Sequence, residues 1–398
     1  MRNKNYDFII VGGGIIGASA AYKLKVNFPK SKILVIEKEV QSSAHQTGRN
    51  SGVIHSGLYY TPGSIKAKTC INGYHQLLKF CLDENIKHEI CGKLIVPKNE
   101  SELQKLESIS KRGLENGLAG IRFVDKKEVK KIEPYIHSTN ALHVPQTGIV
   151  DYREMTKKLI TRAIVDKGSF RTNSRVVDMG ITSNKSFIRL SNDEVIFSEK
   201  IIFCAGLQSD RLAKIDGLSD GIQIVPFRGD YYQLKNESRF KVKKLIYPVP
   251  NPDFPFLGVH FTRMIDGTVE CGPNAVFSFS REGYNRTSFN FRDSWSSLSF
   301  EGTRKLFASN WRFGLEEYKL AFLKIKYLAE LRKIMPNLEA SDLVRGRSGI
   351  RAQAVDKKGN LVDDFVIKKG RIGIHVLNAP SPAATASLAI ADEIMNHL

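Results

Sequence analysis

The sequence lacks paired cysteines, repeats and low-complexity segments. Its 398 residues include five cysteines, and no two of them form a Cys-x-x-Cys pair. An odd number of cysteines without metal-binding spacing predicts free thiols in a reducing compartment rather than a disulfide framework or a metal site. No Pro- or Ser-rich tract and no repeat period is present, which excludes a linker-dominated or solenoid protein.

Long apolar runs are also missing. The most apolar stretch near the N-terminus, FIIVGGGIIGASAAY, is interrupted by a glycine cluster and is too short to span a bilayer. It has no basic leader and no A-x-A cleavage site, so we do not interpret it as a signal peptide. We therefore expect a cytoplasmic protein, and a chain of this length suggests two domains.

The net charge of +19 is spread along the chain. Basic stretches such as KRGLENG, KKEVKKIEP and KVKKLIYP contain acidic residues, and no arginine-rich block occurs. This dispersal favours a solvated lysine-rich surface over nucleic-acid binding. Contact with the inner face of an anionic membrane is a separate hypothesis; it would be peripheral and weakened by salt.

The N-terminal segment YDFIIVGGGIIGASAAYKLKVNFPKSKILVIEKE has the order typical of a dinucleotide-binding unit. A strand-like run over residues 8–11 precedes Gly12, Gly14 and Gly17 in the G-x-G-x-x-G spacing. An Ala-rich helical stretch and a second apolar run follow, and Glu37 comes twenty residues after Gly17. The glycines permit a tight turn, close approach to a pyrophosphate and close helix packing, and the acid can accept from a ribose hydroxyl. This pattern does not separate NAD from FAD.

Two later segments favour FAD. The apolar run KIIFCAG ends at Ala205 and Gly206, where small residues let the chain pass close to a flat group. Near the C-terminus, Pro380 and Pro382 predict a helix start, and the small residues AATAS follow. The positive end of such a helix suits the pyrimidine side of a flavin, which becomes negative on reduction.

The nucleotide-binding segment and the flavin-facing segment must meet in space, so the predicted FAD-binding domain is discontinuous and comprises residues 1–85, 145–220 and 340–398. Residues 86–144 and 221–339 contain aromatics, prolines and alternating stretches such as FLGVHFTRMIDGTVECG, which predict strands and hairpins of a substrate-binding domain. Residues 300–335 show helical spacing. The predicted fold class is α/β, a Rossmann-like FAD-binding domain with a second substrate domain built on a mixed or antiparallel sheet.

The segment HQTGRNSGVIHSGLYY, residues 45–60, follows the predicted adenosine-side strand and has almost no hydrophobic period. Its glycines let backbone amides approach a phosphate or a ring: Gly48, Gly52 and Gly57. Three polar side chains could donate hydrogen bonds to the cofactor: Thr47, Asn50 and Ser51. Three more would lie near its reactive end: His55, Tyr59 and Tyr60. The alternative is a surface loop that contains histidines by chance.

These motifs resemble the FAD-dependent L-2-hydroxyglutarate oxidase/dehydrogenase family, part of the D-amino-acid-oxidase-like superfamily. The resemblance rests on the glycine motif, residues 45–60, CGKLIV, TGIVDYR, CAGLQSDR, IVPFRGDYY, IYPVPNPDFPFLGVHFT, GPNAV, GIRAQAVDKKGNLVDDF and NAPSPAATASLAIADEI. It covers nearly the whole chain and implies a two-domain FAD fold. It also implies oxidation of L-2-hydroxyglutarate to 2-oxoglutarate, with electrons passed to a membrane quinone or to oxygen.

Oxidation of a 2-hydroxy acid needs a base for the hydroxyl proton while C2 gives a hydride to flavin N5. Histidine titrates nearest neutrality, and both His260 and His55 lie in motif blocks, so both are candidates. A dicarboxylate needs fixed cations, preferably arginines. Arg351, in SGIRAQ, occupies the place where related flavin oxidases carry a substrate-carboxylate arginine. Arg228, in PFRGDYY, is a second candidate, with a structural pair to Asp230 as the alternative. Phenolic donors could come from the two tyrosines of the 45–60 segment.

We predict non-covalent FAD and no metal ion, although His45 raises the question of a covalent link. The predicted cofactor contacts are Gly12, Gly14, Ile15, Ile16, Gly17, Glu37, Lys38, Thr47, Gly48, Asn50, Ser51, Gly52, Val177, Ala205, Gly206, Arg351, Pro380, Ser381, Ala383 and Ala384. The expected partners are a small dicarboxylate substrate and an electron acceptor, quinone or oxygen, without nucleic acid. Two other functions stay open: an amine or glycerol-3-phosphate oxidoreductase on the same fold, and a flavin-bearing nucleic-acid-binding protein.

Overall fold

The computed structural model describes residues 5–182, 185–218, 221–250 and 258–398. Residues 251–257, part of one motif behind the resemblance, and the predicted domain boundary at 219–220 lie outside the described residues. The described strands are β1 (Asn5–Val11), β2 (Ile33–Ile36), β3 (Val53–Ile54), β4 (His88–Glu89), β5 (Lys93–Val96), β6 (Arg122–Asp125), β7 (Asn140–Val144), β8 (Gly148–Val150), β9 (Ser169–Arg171), β10 (Val176–Thr182), β11 (Lys185–Leu190), β12 (Val195–Phe203), β13 (Ile222–Leu234), β14 (Leu245–Pro248), β15 (His260–Arg263), β16 (Val269–Gly272), β17 (Val276–Phe277), β18 (Leu343–Asp356), β19 (Val366–Lys369) and β20 (Ile374–Asn378).

The described helices lie between these strands. They are α1 (Ile15–Asn27), α2 (Ile65–Asp83), α3 (Ser101–Glu115), α4 (Lys126–Ile132), α5 (Tyr152–Ala163), α6 (Ser209–Ile215), α7 (Phe291–Ser299), α8 (Glu301–Phe322), α9 (Lys324–Arg332) and α10 (Ser387–Met395). The helical spacing predicted over residues 300–335 is confirmed by α8 and α9, which are separated at Leu323.

The first sheet is the nucleotide-binding sheet that the N-terminal pattern predicts. Its order is β10-β11-β12-β1-β2-β9, and β20 pairs with β12 and β19. Strands β12, β1, β2 and β9 are parallel, and β1 and β2 are almost fully buried runs, as a parallel sheet covered on both faces requires. Helices α1 and α10 cover one face through a core that includes Ala20, Leu24, Ile33 and Ile390.

The second sheet is mixed and mostly antiparallel. Its order is β17-β13-β16-β15-β14-β5-β7-β6, and β18 pairs with β13 over nearly its whole length. The predicted hairpin of residues 256–272 is confirmed in its described part, since β15 and β16 are antiparallel. The predicted FAD-binding domain includes residues 340–398; in this segment β19 and β20 join the first sheet, whereas β18 pairs with β13 of the second sheet. Local pattern could not show this, because β18 finds its partner more than a hundred residues earlier.

The predicted helix start at Pro380 and Pro382 is wrong by several residues. Helix α10 begins at Ser387, and the preceding segment forms turns in which Ala383 N donates to Pro380 O and Ala386 N donates to Pro382 O. Proline has no N–H, so these residues turn the chain toward the helix instead of beginning it.

Candidate active site

One large cavity runs between the two sheets. Its volume is about 1010 Å³, at the upper end of the roughly 300–1,000 Å³ typical of small-molecule sites. One end is lined by the glycine loop between β1 and α1, and the other by residues of β13, β15 and β18. Most of the predicted cofactor contacts line it: Gly12, Gly14, Ile15, Ile16, Glu37, Lys38, Thr47, Asn50, Ser51, Val177, Ala205, Gly206, Arg351, Pro380, Ser381, Ala383 and Ala384.

The glycine loop closes tightly against the neighbouring strand. Gly12 has φ +120°, and a Cβ there would lie 2.2 Å from Cys204 O. Gly14 is the N-cap of α1, and the first turn of this helix carries no acidic residue. The positive helix end therefore faces the cavity without a competing charge from its own first turn, which suits a pyrophosphate.

Glu37 and Thr47 reach back to this loop. Glu37 Oε2 accepts from Gly13 N at 2.8 Å, and Thr47 Oγ1 accepts from Ile15 N at 2.9 Å. Glu37 is 8% exposed and lines the cavity. A carboxylate offers about four acceptor positions, so Glu37 keeps capacity for a ribose hydroxyl.

Three predicted cofactor contacts lie outside the cavity wall: Gly17, Gly48 and Gly52. A Cβ at Gly17 would lie 2.0 Å from Gly12 O, so this glycine lets α1 pack on the loop. The other two close turns of the 45–60 segment. A Cβ at Gly48 would lie 2.2 Å from Ser43 O, and Gly52 has φ +66°.

Lys38 and His45 belong to a polar cluster at the cavity edge. Lys38 Nζ lies 2.9 Å from both His45 Nε2 and Glu282 Oε2, and it also contacts Glu39. His45 Nδ1 lies 2.5 Å from the Tyr284 hydroxyl. Side chains of Glu39, His45 and Glu282 could together offer metal ligands, but the Lys38 ammonium bonds to all three. The cluster is therefore an ion-pair network.

His260 lies at the start of β15, at the other end of the cavity. Its Nδ1 lies 2.8 Å from Gly258 O, and its ring centroid is 4.0 Å from that of Tyr247. A carbonyl oxygen only accepts, so Nδ1 carries the proton and Nε2 is the unprotonated nitrogen. Burial is the largest cause that lowers the pKa of His260 to about 4; the cations Arg351 and Lys93 also lower it, whereas the hydrogen bond to Gly258 raises it.

His55 follows β3 and lines the same cavity. Its backbone N–H donates to Thr385 Oγ1 at 3.0 Å, and Thr385 also contacts the Tyr152 hydroxyl at 2.9 Å. Burial lowers the pKa of His55 to about 3, with Lys93 and His260 as further causes. Both candidate histidines are therefore neutral near pH 7.

The two tyrosines also line the cavity. Burial raises the pKa of Tyr59 and of Tyr60 well above the usual value of a phenol, so both keep their hydroxyl protons. Tyr60 also shares a side-chain hydrogen bond with Ser381. They are neutral hydrogen-bond donors at this end of the cavity.

Arg351 lies on β18 opposite Phe227 of β13 and lines the cavity. Burial lowers its pKa, whereas Tyr231 and Glu317 raise it. A guanidinium keeps its charge in proteins and presents a planar fork to a carboxylate. The structure thus brings Arg351, His260, His55, Tyr59 and Tyr60 to one end of one cavity.

Arg228 is not part of this group, which corrects the second arginine prediction. It is 3% exposed, and its Nε donates to Asp230 Oδ1 at 2.9 Å. On β13, Gly229 and Tyr231 line the cavity, so the alternating residues 228 and 230 face the other way. The structural alternative for Arg228 is the one that the structure adopts.

Lys93 is a residue that the sequence reasoning missed. It is 2% exposed on β5, and its Nζ lies 3.3 Å from the Tyr59 hydroxyl and 5.1 Å from the ring centroid of Tyr247. Burial lowers its pKa to about 7. The available signal was a lysine at the start of the otherwise apolar run KLIV.

Arg347 was missed as well. It pairs with Glu270, which is 2% exposed, at 2.7 Å. It also donates to Gly48 O at 2.8 Å and to Asn50 O at 2.6 Å. Arg347 therefore fixes the 45–60 segment to the second sheet, which local sequence pattern cannot indicate.

The residues at both ends of the cavity fit an extended FAD. The glycine loop, Glu37 and the helix end suit the nucleotide, while the small residues of the 380–384 turn suit a flat ring. The comparisons with known proteins agree. The FAD dependent oxidoreductase family model matches residues 7–396. The chain belongs to this family, and FAD is its cofactor.

The similar proteins narrow the family. The chain is 46% identical to L-2-hydroxyglutarate dehydrogenase of Indibacter alkaliphilus, over 97% of each chain. It is 43% identical to the mitochondrial L-2-hydroxyglutarate dehydrogenase of Homo sapiens, over 99% of this chain and 89% of that one. The resemblance seen in the motifs is confirmed: this oxidoreductase belongs with the L-2-hydroxyglutarate dehydrogenases.

The predicted fold is confirmed by solved structures. The FAD-bound L-alpha-glycerophosphate oxidase of Mycoplasma pneumoniae superposes with a TM-score of 0.79, at 24% identity over 99% of this chain and 94% of that one. Glycine oxidase of Geobacillus kaustophilus has a TM-score of 0.73, at 14% identity over 100% of this chain and 95% of that one. Among the described helices, none combines the length and apolar character that a membrane crossing requires.

Proposed function

We propose that this enzyme oxidises L-2-hydroxyglutarate to 2-oxoglutarate. The observation that carries the proposal is the meeting of Arg351 and a neutral histidine with an unprotonated Nε2 at the end of a cavity that begins at the glycine loop. A relative with 46% identity bears the name of this activity. Bound FAD supplies the hydride acceptor; the chain supplies orientation, charge and a base.

His260 is the proposed base. Its Nδ1–H bond to Gly258 O fixes the ring and leaves Nε2 directed to accept the hydroxyl proton. Burial keeps this imidazole neutral at pH 7, so it can accept a proton without first losing one. No described hydrogen bond fixes the tautomer of the His55 imidazole. We therefore assign His55 to orientation of the substrate.

Arg351 is the proposed partner of the carboxylate next to the reacting carbon, because its fork can bind both oxygens. The second carboxylate of the substrate requires another positive group. Lys66 and Arg112 also line the cavity. Tyr59 and Tyr60 contribute phenolic hydrogen bonds, and the predicted cofactor contacts along the cavity hold FAD.

Anaerobic mixing with L-2-hydroxyglutarate tests the substrate. We expect the flavin absorption to bleach with the L isomer and to persist with the D isomer, lactate or glycerol 3-phosphate. Bleaching by glycerol 3-phosphate or an amine would replace the proposed substrate by the alternative on the same fold. A flavin-containing protein that none of them reduces would overturn the substrate assignment.

Paired variants test the base. In His260→Asn we expect flavin reduction to slow by about 10²–10⁴-fold, the usual contribution of a general base. His55→Asn is expected to raise the KM more than it lowers the reduction rate. Single-turnover stopped-flow measurements separate the two effects, and the reverse pattern would assign the base to His55.

In this proposal the reduced flavin passes its electrons to a quinone or to oxygen. We also propose that the protein is cytoplasmic and contacts the inner face of the membrane peripherally. Reoxidation of the substrate-reduced enzyme by air or by a soluble quinone identifies the acceptor. The acceptor that restores the flavin spectrum at the rate of steady-state turnover is the functional one.

A further inference from the structure

Helix α7 exposes an apolar stripe. Phe291, Trp295 and Leu298, at spacing i, i+4 and i+7, share one helix face, and they are 72%, 66% and 39% exposed. The rings of Phe291 and Trp295 stack with centroids 6.3 Å apart. A surface helix of a globular protein ordinarily turns such a stripe to the core.

Helix α8 repeats this feature. Trp311, Leu315 and Phe322 are 57%, 51% and 53% exposed, and their spacing of four and eleven residues places them on one face. At the end of α8 the stripe continues through Leu323, 47% exposed, to Ile325 of α9, 67% exposed.

The two stripes belong to neighbouring elements. Helices α7 and α8 meet at Phe300, which ends one and caps the other. Their inner sides are already packed, since Phe300, Leu306 and Phe307 contact the core beneath them. The exposed residues are therefore additional to the core. We call them the α7–α9 apolar surface: Phe291, Trp295, Leu298, Trp311, Leu315, Phe322, Leu323 and Ile325.

Positive charge borders this surface. The exposed acids Glu301 and Glu316 are neutralised by Lys305 and Lys319. Six cations on α7–α9 have no ion-pair partner among the described residues: Arg292, which also lines the cavity, Arg304, Arg312, Lys324, Lys326 and Arg332. The Arg312 guanidinium lies 5.3 Å from the Trp311 ring. The surface is thus apolar and positively charged.

This chemistry selects one occupant. A second copy of the chain would bring the same unpaired cations against one another, which disfavours self-association. A nucleic acid would stack its bases on aromatic side chains, but half of this surface is aliphatic and cannot stack: Leu298, Leu315, Leu323 and Ile325. Amphipathic helices with Trp, Phe and Leu on one face and Lys or Arg beside them suit the interface of an anionic bilayer.

We propose that the α7–α9 apolar surface docks on an anionic membrane, with its aromatic and aliphatic side chains in the headgroup region and its cations at the lipid phosphates. The proposal names the surface that makes the membrane contact, and it is independent of which substrate the enzyme oxidises. Its residues lie outside the catalytic end of the cavity.

The composition of the chain provides a direct test, because Trp295 and Trp311 are its only two tryptophans. Both are more than half exposed in solution. With vesicles of phosphatidylglycerol and phosphatidylcholine we expect the emission of the FAD-loaded enzyme to shift to shorter wavelength and to be quenched by brominated acyl chains. Vesicles of phosphatidylcholine alone should bind more weakly, and added salt should weaken the attraction to the anionic vesicles.

The double variant Phe291→Ser/Phe322→Ser keeps both tryptophans and should lower vesicle partitioning by about tenfold or more, since each phenyl ring contributes apolar contact. The control Val26→Ser/Leu82→Ser removes exposed apolar side chains elsewhere, on α1 and α2, and should partition normally. Turnover in detergent-free solution should be unchanged in both.

Absence of any spectral shift at low ionic strength would overturn the proposal, as would equal partitioning of the two double variants. A blue shift that depends on protein concentration without vesicles, together with the mass of a dimer, would assign the surface to a second copy. These outcomes would still test membrane docking if the substrate test failed, because vesicle binding does not require turnover.

Discussion

The two ends of the cavity are built by different means. The nucleotide end is made of backbone: Gly12 and Gly14 bring the chain close, and Glu37 and Thr47 bind the N–H groups of the loop. These four residues lie within the first 47 of the chain. The reactive end is made of side chains that arrive from β5, β14, β15, β18 and the 45–60 segment.

The difference lies in electrostatics as well as in geometry. At the nucleotide end the charge comes from a helix end that faces outward into the cavity. At the reactive end, burial shifts several titratable groups: it lowers the pKa of His55, His260, Lys93 and Arg351 and raises that of Tyr59. Such concentration of shifted groups in a cavity is typical of catalysis. Binding and chemistry are therefore separable by mutation.

The largest effect is expected at the nucleotide end. Gly12→Ala places a Cβ 2.2 Å from Cys204 O at φ +120°, so we expect loss of retained FAD. The positive φ alone costs an alanine about 1–3 kcal/mol. FAD content after gel filtration and the thermal midpoint measure the result.

Gly267→Ala is the matched control, because Gly267 has φ +82° with nothing within 4 Å of its Cβ position. The Gly267→Ala variant has the backbone strain of a positive φ but no steric clash of its Cβ, and it should retain FAD. Equal FAD content in the two variants would mean that the close approach at Gly12 is not required for binding.

A smaller effect is expected for Arg351→Lys at the reactive end. Lysine keeps the charge but loses the fork, so we expect kcat/KM for L-2-hydroxyglutarate to fall by about 10²-fold, equivalent to ~2.7 kcal/mol, with FAD retained. Steady-state kinetics under a fixed acceptor concentration measure this.

Arg228→Lys sharpens the same comparison, because Arg228 forms the buried pair with Asp230. It should lower the thermal midpoint and leave the KM close to that of the wild type. If Arg228→Lys raised the KM while Arg351→Lys left kcat/KM unchanged, the assignment of the two arginines would be reversed.

The smallest effect concerns pH. The Lys93 cation lowers the pKa of both His55 and His260, and with a pKa of about 7 it is charged throughout the acid range. In Lys93→Met both histidine pKa values should rise, so protonation inactivates the base at higher pH. The acid limb of the kcat/KM profile should therefore move to higher pH.

The exposed residue Lys98 provides the control, and Lys98→Met should leave the limb in place. An acid limb that stays unchanged or moves to lower pH in Lys93→Met would show that Lys93 does not act on the base. A loss of activity at every pH without a shift would instead indicate a packing role for Lys93.

Several features were predictable because they depend on neighbours in the chain. The β1–α1–β2 unit follows from apolar runs separated by glycines, and α8 and α9 follow from helical spacing. The helix start near Pro380 failed because prolines mark turns as well as helix ends. The pairing of β18 with β13 was not predictable, because strands more than a hundred residues apart leave no local pattern.

The arginines show the same limit within the site. Arg351 was the first candidate because of its motif, and Arg228 the second because a pair with Asp230 was its alternative, but local sequence did not decide whether Arg228 faces the cavity. The structure separates them because β13 alternates its faces, which turns Arg228 toward Asp230 and away from the cavity. The sequence did not indicate Lys93, because its lowered pKa results from burial beside Tyr59 and Tyr247, which only the folded chain brings together.

By itself, the sequence determined the dinucleotide-binding unit, the FAD family and the set of segments that contribute to the site, because glycine spacing, apolar periodicity and motif order are properties of the chain. The tertiary structure decided which side chains meet, which histidine has its tautomer fixed by a carbonyl oxygen and which charged groups are buried. Those properties arise from long-range strand pairing and desolvation, and both exist only once the two sheets have closed around the cavity.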